Sequence, residues 1–292
     1  MQTPWGNCDV ADAHVHFFSR RFLEALGSQC GKDQREVATA VGWDFPGNAE
    51  ELALRWRDEL DQYGVGRAAL IASVPGDEPS VIAAQAAAPG RFFAYAMINP
   101  LAQATVNPSL NAICLFPSMH GYSLHDECVD GLLQQASAQR QAVFVHRGVL
   151  TVGVRKKLGL PSPFDMRHSN PLELHAAAQR YPQVPFVVPH FGAGFLREAL
   201  MLADLCPNVY LDTSSSNSWM RYEGLDLKTV FHRAMDVAGA GRLLFGTDSS
   251  FFPRGWNHEV YEAQTRTLSD MGISAADARL ILGENLQRIL AA

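Results

Sequence analysis

Short apolar runs alternate with amphipathic stretches along almost the whole chain. The runs read as buried strands over residues 8–13, 68–73, 91–98 and 111–116, two more that end at His146 and His190, then 209–213 and 242–247. Between them the period changes to that of a helix. Asn48 caps a helix reaching to about Tyr63, with Leu52, Trp56 and Leu60 on one face and Gly64 ending it. Further helices are predicted over 79–88, 127–140, 171–181, 195–205, 227–238, 257–271 and 274–290. Three stretches break the alternation. Residues 17–47 lack a clean period but are rich in aromatics, which predicts a lid or mouth-lining loop. Residues 99–110 are short and hold Pro100 and Pro108, so the outer helix after the third strand is expected to be short or missing. Residues 147–169 read as a long loop.

Eight strands, mostly separated by helices, predict an α/β fold: a single (β/α)8 barrel over residues 1–292, with helices outside. In such a barrel the functional face lies at the C-terminal ends of the strands. His14, His16, His146, His190 and Asp248 all fall at such ends. His14 and His16, two apart on one strand, share a face at roughly 6–7 Å between Cα atoms, close enough to share one ion. Imidazole and carboxylate are both metal-competent side chains, so these four strand ends read as one site.

Composition narrows the partner. Across 292 residues, 47% are apolar and 18% charged, enough for a large core and too few charges for extended disorder. A net charge of −6 and no basic run longer than Arg155-Lys156-Lys157 exclude a nucleic-acid or anionic-membrane surface, so a small-molecule substrate is expected. Lys156 and Lys157 themselves read as a solvated turn. Five cysteines without a Cys-x-x-Cys pair argue against a disulfide framework or a zinc knuckle. With no apolar leader at the N-terminus and no spanning segment, a cytoplasmic location is expected.

Taken together, Asp12-x-His14-x-His16, Val145-His146, Pro189-His190-Phe191-Gly192 and Phe245-Gly246-Thr247-Asp248 resemble the amidohydrolase superfamily. Within it they resemble the branch that includes aminocarboxymuconate-semialdehyde decarboxylase and the pyrone-dicarboxylate lactonases. The closing segment 281–290 is similar to that family's last helix. The resemblance implies one divalent ion, usually zinc with manganese as the alternative, held by His14, His16, His146 and Asp248. His190 then serves as the catalytic histidine, and Asp248 doubles as a proton carrier. Cys114 falls near the position where binuclear members place a bridging lysine, which favours a single ion.

The implied function is hydrolysis of a small carboxylated or cyclic ester, lactone or amide by a metal-activated water. Two alternatives stay open: non-oxidative decarboxylation of an aromatic or unsaturated acid, and a barrel that binds a ligand without turning it over. Substrate contacts are expected from the rim: Arg147 as a carboxylate clamp, His120 and Tyr122 as polar groups, Arg221 and Arg254 as further cations, and Trp219, Trp256 and Phe252 as aromatic walls. Barrels of this family often pair through outer helices, so the resemblance allows a homodimer.

Overall fold

The apolar runs become strands because each is buried on both faces. In the run Arg67–Ala72, Ala69 and Ile71 point into one hydrophobic cluster while Ala68, Leu70 and Ala72 point into another. The computed structural model describes residues 1–214 and 218–290. Its strands are β1 (Ala11–Phe17), β2 (Arg67–Ala72), β3 (Phe92–Ile98), β4 (Ala112–Leu115), β5 (Ala142–Val145), β6 (Phe186–Val188), β7 (Val209–Asp212) and β8 (Leu243–Leu244). Each pairs in parallel with the next in sequence. The seam between the last and the first is closed by a bridge from Val15 to Ser249, by Ala13 N–H to Phe245 O (2.8 Å) and by His16 N–H to Ser249 O (2.7 Å). The result is the expected (β/α)8 barrel.

The barrel interior holds Ala13, Ile71, Tyr95, Cys114, Phe144 and Val187, and Leu286 and Ile289 of the last helix pack into the same cluster. A larger cluster lies between the strands and the outer helices, among them α3 (Ala49–Tyr63), with Trp56 fully buried. Cys114 packs as a small apolar residue, its thiol pushed well up by burial.

Several expectations need correction. The first strand begins at Ala11 and runs through both histidines, so His14 and His16 lie inside it; the pairing with β2 shifts register between Asp12 and Val15. The stretch 17–47 is a pair of helices, α1 (Arg20–Cys30) and α2 (Gln34–Val41). Ser19 caps the first, an Asp33–Glu36 capping box starts the second, and Gly31 and Gly42 end them in the left-handed conformation. Their inward faces, with Val154 from the loop after β5, form a third hydrophobic cluster separate from the other two. That loop contains a short helix, Gly153–Lys157. β8 pairs with β7 over only two residues, because from Phe245 onward the chain turns its hydrogen bonds to β1.

No helix follows β3. The irregular backbone there is satisfied by side chains instead: Gln135 accepts from Val106 N–H, and Gln141 donates to the carbonyls of Asn107 and Leu110. Among the described residues no helix is long and apolar enough to cross a membrane.

Candidate metal centre and its cavity

His14 and His16 point up the inside of β1, and each has its Nδ1 engaged by a neighbouring strand. His14 Nδ1 lies 2.6 Å from Asp212 Oδ2 at the end of β7. His16 Nδ1 lies 2.7 Å from Ser73 Oγ just past β2, and Ser73 donates its own proton to Ile71 O at 3.0 Å. Ser73 must therefore accept from the His16 Nδ1–H, which leaves His16 Nε2 as a lone pair. The two Nε2 atoms stand 3.4 Å apart, and Asp248 Oδ1 lies 3.5 Å from the first and 3.1 Å from the second. The three ligand atoms all fall within 4.8 Å of one another.

Lone pairs that close repel unless a cation or a proton sits between them. Burial opposes charge on His14, yet the carboxylates of Asp212, Asp248 and Asp12 outweigh it and push its pKa up to about 9. Burial dominates for His16 and lowers it. Burial would raise Asp248, but the closeness of the His16, His14 and His190 imidazoles holds it well below the usual carboxylate range. His146 stands outside the tight group, stacked on Phe116 with ring centroids 5.3 Å apart. Its buried Nδ1 has no hydrogen-bond partner among the described residues, and burial holds the ring well below its ordinary pKa. A neutral imidazole with an orphaned nitrogen, beside two Nε2 atoms and a carboxylate, is a donor set that fits a divalent ion.

His190 completes the group, with its ring centroid 4.9 Å from that of His14 and 5.5 Å from that of His146. Its Nδ1 faces the Ser214 carbonyl at 3.0 Å and so donates, leaving Nε2 as the acceptor; burial keeps the ring neutral. His190 and Asp248 both adopt left-handed backbone, with φ of 56° and 57°. Residues with side chains reach that region at a cost of roughly 1–2 kcal/mol; Phe191 and Ala193 beside His190, and Arg140 before β5, adopt it too.

Above these groups lies a cavity of about 380 Å³. One wall is an aromatic ladder in which Phe18 stacks on Trp43 (5.1 Å) and Trp43 on Phe251 (4.7 Å). Met97, Phe116 and Met119 form apolar wall opposite, and Lys157 and Arg254 bring positive charge.

Most of the side chains expected to contact substrate do not line this cavity. Arg147 alternates with His146 and so faces outward; it is fully buried against Glu173 Oε2 (2.7 Å) and His168 O (2.6 Å). His120 and Tyr122, in the segment that follows β4, stack on each other with ring centroids 6.3 Å apart and do not line the cavity. Trp219 packs under Phe191, and Arg221 lies exposed over the Tyr222 ring. Trp256 is buried, donating Nε1–H to Asp12 Oδ2 at 2.8 Å, and Phe252 faces Trp56. Of these expectations only Arg254 lines the cavity. Lys157, read as solvated, is the second cation, its Nζ donating to Val41 O at 3.2 Å. Asp212 and Ser73 were also missed, although Asp212 ends a buried strand just as the recognised ligands do.

The family model described as Amidohydrolase matches residues 11–291. Protein fluG of Emericella nidulans is 34% identical over 85 residues, a match covering 29% of this chain and 10% of that protein. Two solved structures share the fold across nearly the whole chain. The 5-carboxyvanillate decarboxylase of Novosphingobium aromaticivorans, complexed with manganese and 4-hydroxy-3-methoxy-5-nitrobenzoic acid, has a TM-score of 0.64 at 13% identity, covering 99% of this chain and 97% of that one. A putative 2-pyrone-4,6-dicarboxylic acid hydrolase of Pseudomonas putida has a TM-score of 0.61 at 18% identity, covering 98% of both.

Proposed function

From the premise that this chain belongs to the amidohydrolase family, we propose that it is a mononuclear metal hydrolase acting on a small, planar, carboxylated ester, lactone or amide. The observation that carries the reading is the convergence of His14 Nε2, His16 Nε2 and Asp248 Oδ1 at the floor of an aromatic-walled cavity. These groups, with His146, would hold one zinc or manganese ion. When bound, the ion supplies a Lewis acid that lowers the pKa of water towards roughly 7 and polarises a substrate oxygen.

The chain's own residues do the rest. Ser73 and Asp212 fix the two β1 imidazoles, and Asp248 stays ionised as an anionic anchor. His190 Nε2, neutral and accepting, takes the proton of the attacking water and returns it to the leaving group. The ladder of Phe18, Trp43 and Phe251 offers a flat apolar surface to a ring, while Lys157 and Arg254 pair with its carboxylate.

Two measurements test this. Elemental mass spectrometry is expected to find about one zinc or manganese per chain after reconstitution, and almost none in a folded His14→Ala, His16→Ala variant. Equal content in both would place the ion elsewhere. Lys157→Met keeps the side-chain stem and removes the charge, so KM for a carboxylated substrate should rise by roughly 10–100-fold, with a much smaller change for its methyl ester. An unchanged ratio would remove Lys157 from recognition.

Decarboxylation is the second reading, favoured by the apolar wall of Met97, Phe116 and Met119, which would desolvate a carboxylate seated against it. Carbon dioxide evolved from aromatic or unsaturated acids, with no hydrolysis across a lactone and amide panel, would decide for it.

A further inference from the structure

We infer that Asp212 selects which nitrogen of His14 faces the candidate ion, through a fixed division of labour between its two oxygens. The inference rests on the metal reading above, and it makes Asp212 a positioning residue. Asp212 is completely buried; its Oδ1 accepts the Ser214 peptide N–H at 2.7 Å and its Oδ2 faces His14 Nδ1 at 2.6 Å. A carboxylate only accepts, so His14 Nδ1 carries the hydrogen of this contact and Nε2 is the atom turned towards His16 and Asp248.

A Cβ at position 246 would come within 2.6 Å of Asp212 Oδ1 and 3.0 Å of the His14 Cβ, so Gly246 is the residue that lets the segment after β8 lie against this pair. Ser214 Oγ also reaches His14 Nδ1, at 3.1 Å, and His190 Nδ1, at 2.9 Å. The end of β7 thus touches the imidazoles of both β1 and β6.

Asparagine at position 212 would have nearly the same shape and only one accepting end. The backbone N–H of Ser214 is fixed and claims that oxygen, so the amide NH2 meets His14 Nδ1. His14 must then accept there, and its proton moves to Nε2, the atom the ion needs. Alanine imposes no such choice, because the Ser214 hydroxyl can still accept from His14 Nδ1. Tautomer selection therefore makes the isosteric variant the worse one for metal. A role in packing alone predicts the reverse, since alanine leaves a hole and an unpaired Ser214 N–H.

The experiment measures zinc affinity by competition with a chromophoric chelator for wild type, Asp212→Asn and Asp212→Ala. In parallel, nitrogen-15 histidine spectra of the metal-stripped Asp212→Asn protein report which ring nitrogen of His14 bears the proton. The expected result is a loss of about 100-fold or more for Asn, about 10-fold for Ala, and a proton on Nε2 in the Asn variant. Asn within threefold of wild type, Ala weaker than Asn, or a proton on Nδ1 would overturn the inference. If Ala does not fold, the Asn affinity and its spectrum decide. Wild type that binds no zinc would fault the metal reading instead, while the His14 spectrum still decides the tautomer.

Discussion

Asp248→Asn is expected to lower kcat by roughly 10³–10⁴, because it removes the only anionic member of the ligand group and several kcal/mol of charge stabilisation with it. Asparagine is the informative replacement. Asp248 sits at φ 57° beside the β1–β8 seam, with its N–H donating to His14 O at 3.0 Å, and Asn tolerates that backbone region where most side chains do not. The variant should therefore keep its melting temperature within a few degrees while losing turnover. Steady-state kinetics on a substrate found in the lactone, amide and acid panels, read alongside metal content, gives the answer. Activity within tenfold of wild type would remove Asp248 from the machinery.

Asp12→Ala is expected to cost stability on a comparable scale, about 3–5 kcal/mol, a fifth or more of what a typical domain possesses. Asp12 is fully buried at the seam. It accepts from His14 N–H (2.9 Å), Thr247 N–H (3.1 Å), Thr247 Oγ1–H (2.5 Å) and Trp256 Nε1–H (2.8 Å), tying β1 to the segment after β8. Burial raises its pKa to about 6 against the pull of those donors. Removing the carboxylate strands the Thr247 and Trp256 donors away from water, each at about 1–3 kcal/mol. Urea unfolding should show the midpoint falling with the slope unchanged. A loss under 1 kcal/mol would mean that the seam is held by its backbone bonds alone.

Much of this was legible in the chain. Strand runs such as 68–73 announce themselves because both faces are apolar, and the closeness of His14 and His16 follows from alternation along β1, which turns both to one face. The register of β1 was not legible: Cys8 and Val10 are as apolar and buried as the strand's own residues, and only pairing with β2 shows that the strand starts at Ala11. The lid helices carried their signals openly, in the Asp33–Glu36 box and in Gly31 and Gly42, but aromatic residues obscured the period. Substrate contacts were the hardest to read. Arg147 follows a ligand in sequence, and alternation turns it outward for that very reason, whereas Lys157 reaches the cavity through a short helix in a long loop that no local pattern predicts.

The roof over the cavity is built apart from its floor. Phe22, Leu26, Val37, Val41 and Val154 bury one another in a cluster of their own, while every group proposed to hold or move a proton belongs to a barrel strand or the turn that follows it. Exchange of 20–42 and 150–160 is therefore expected to leave the reacting centre in place. For an engineer, those two segments are the replaceable part of the molecule, where libraries can change what is accepted without rebuilding what is done to it.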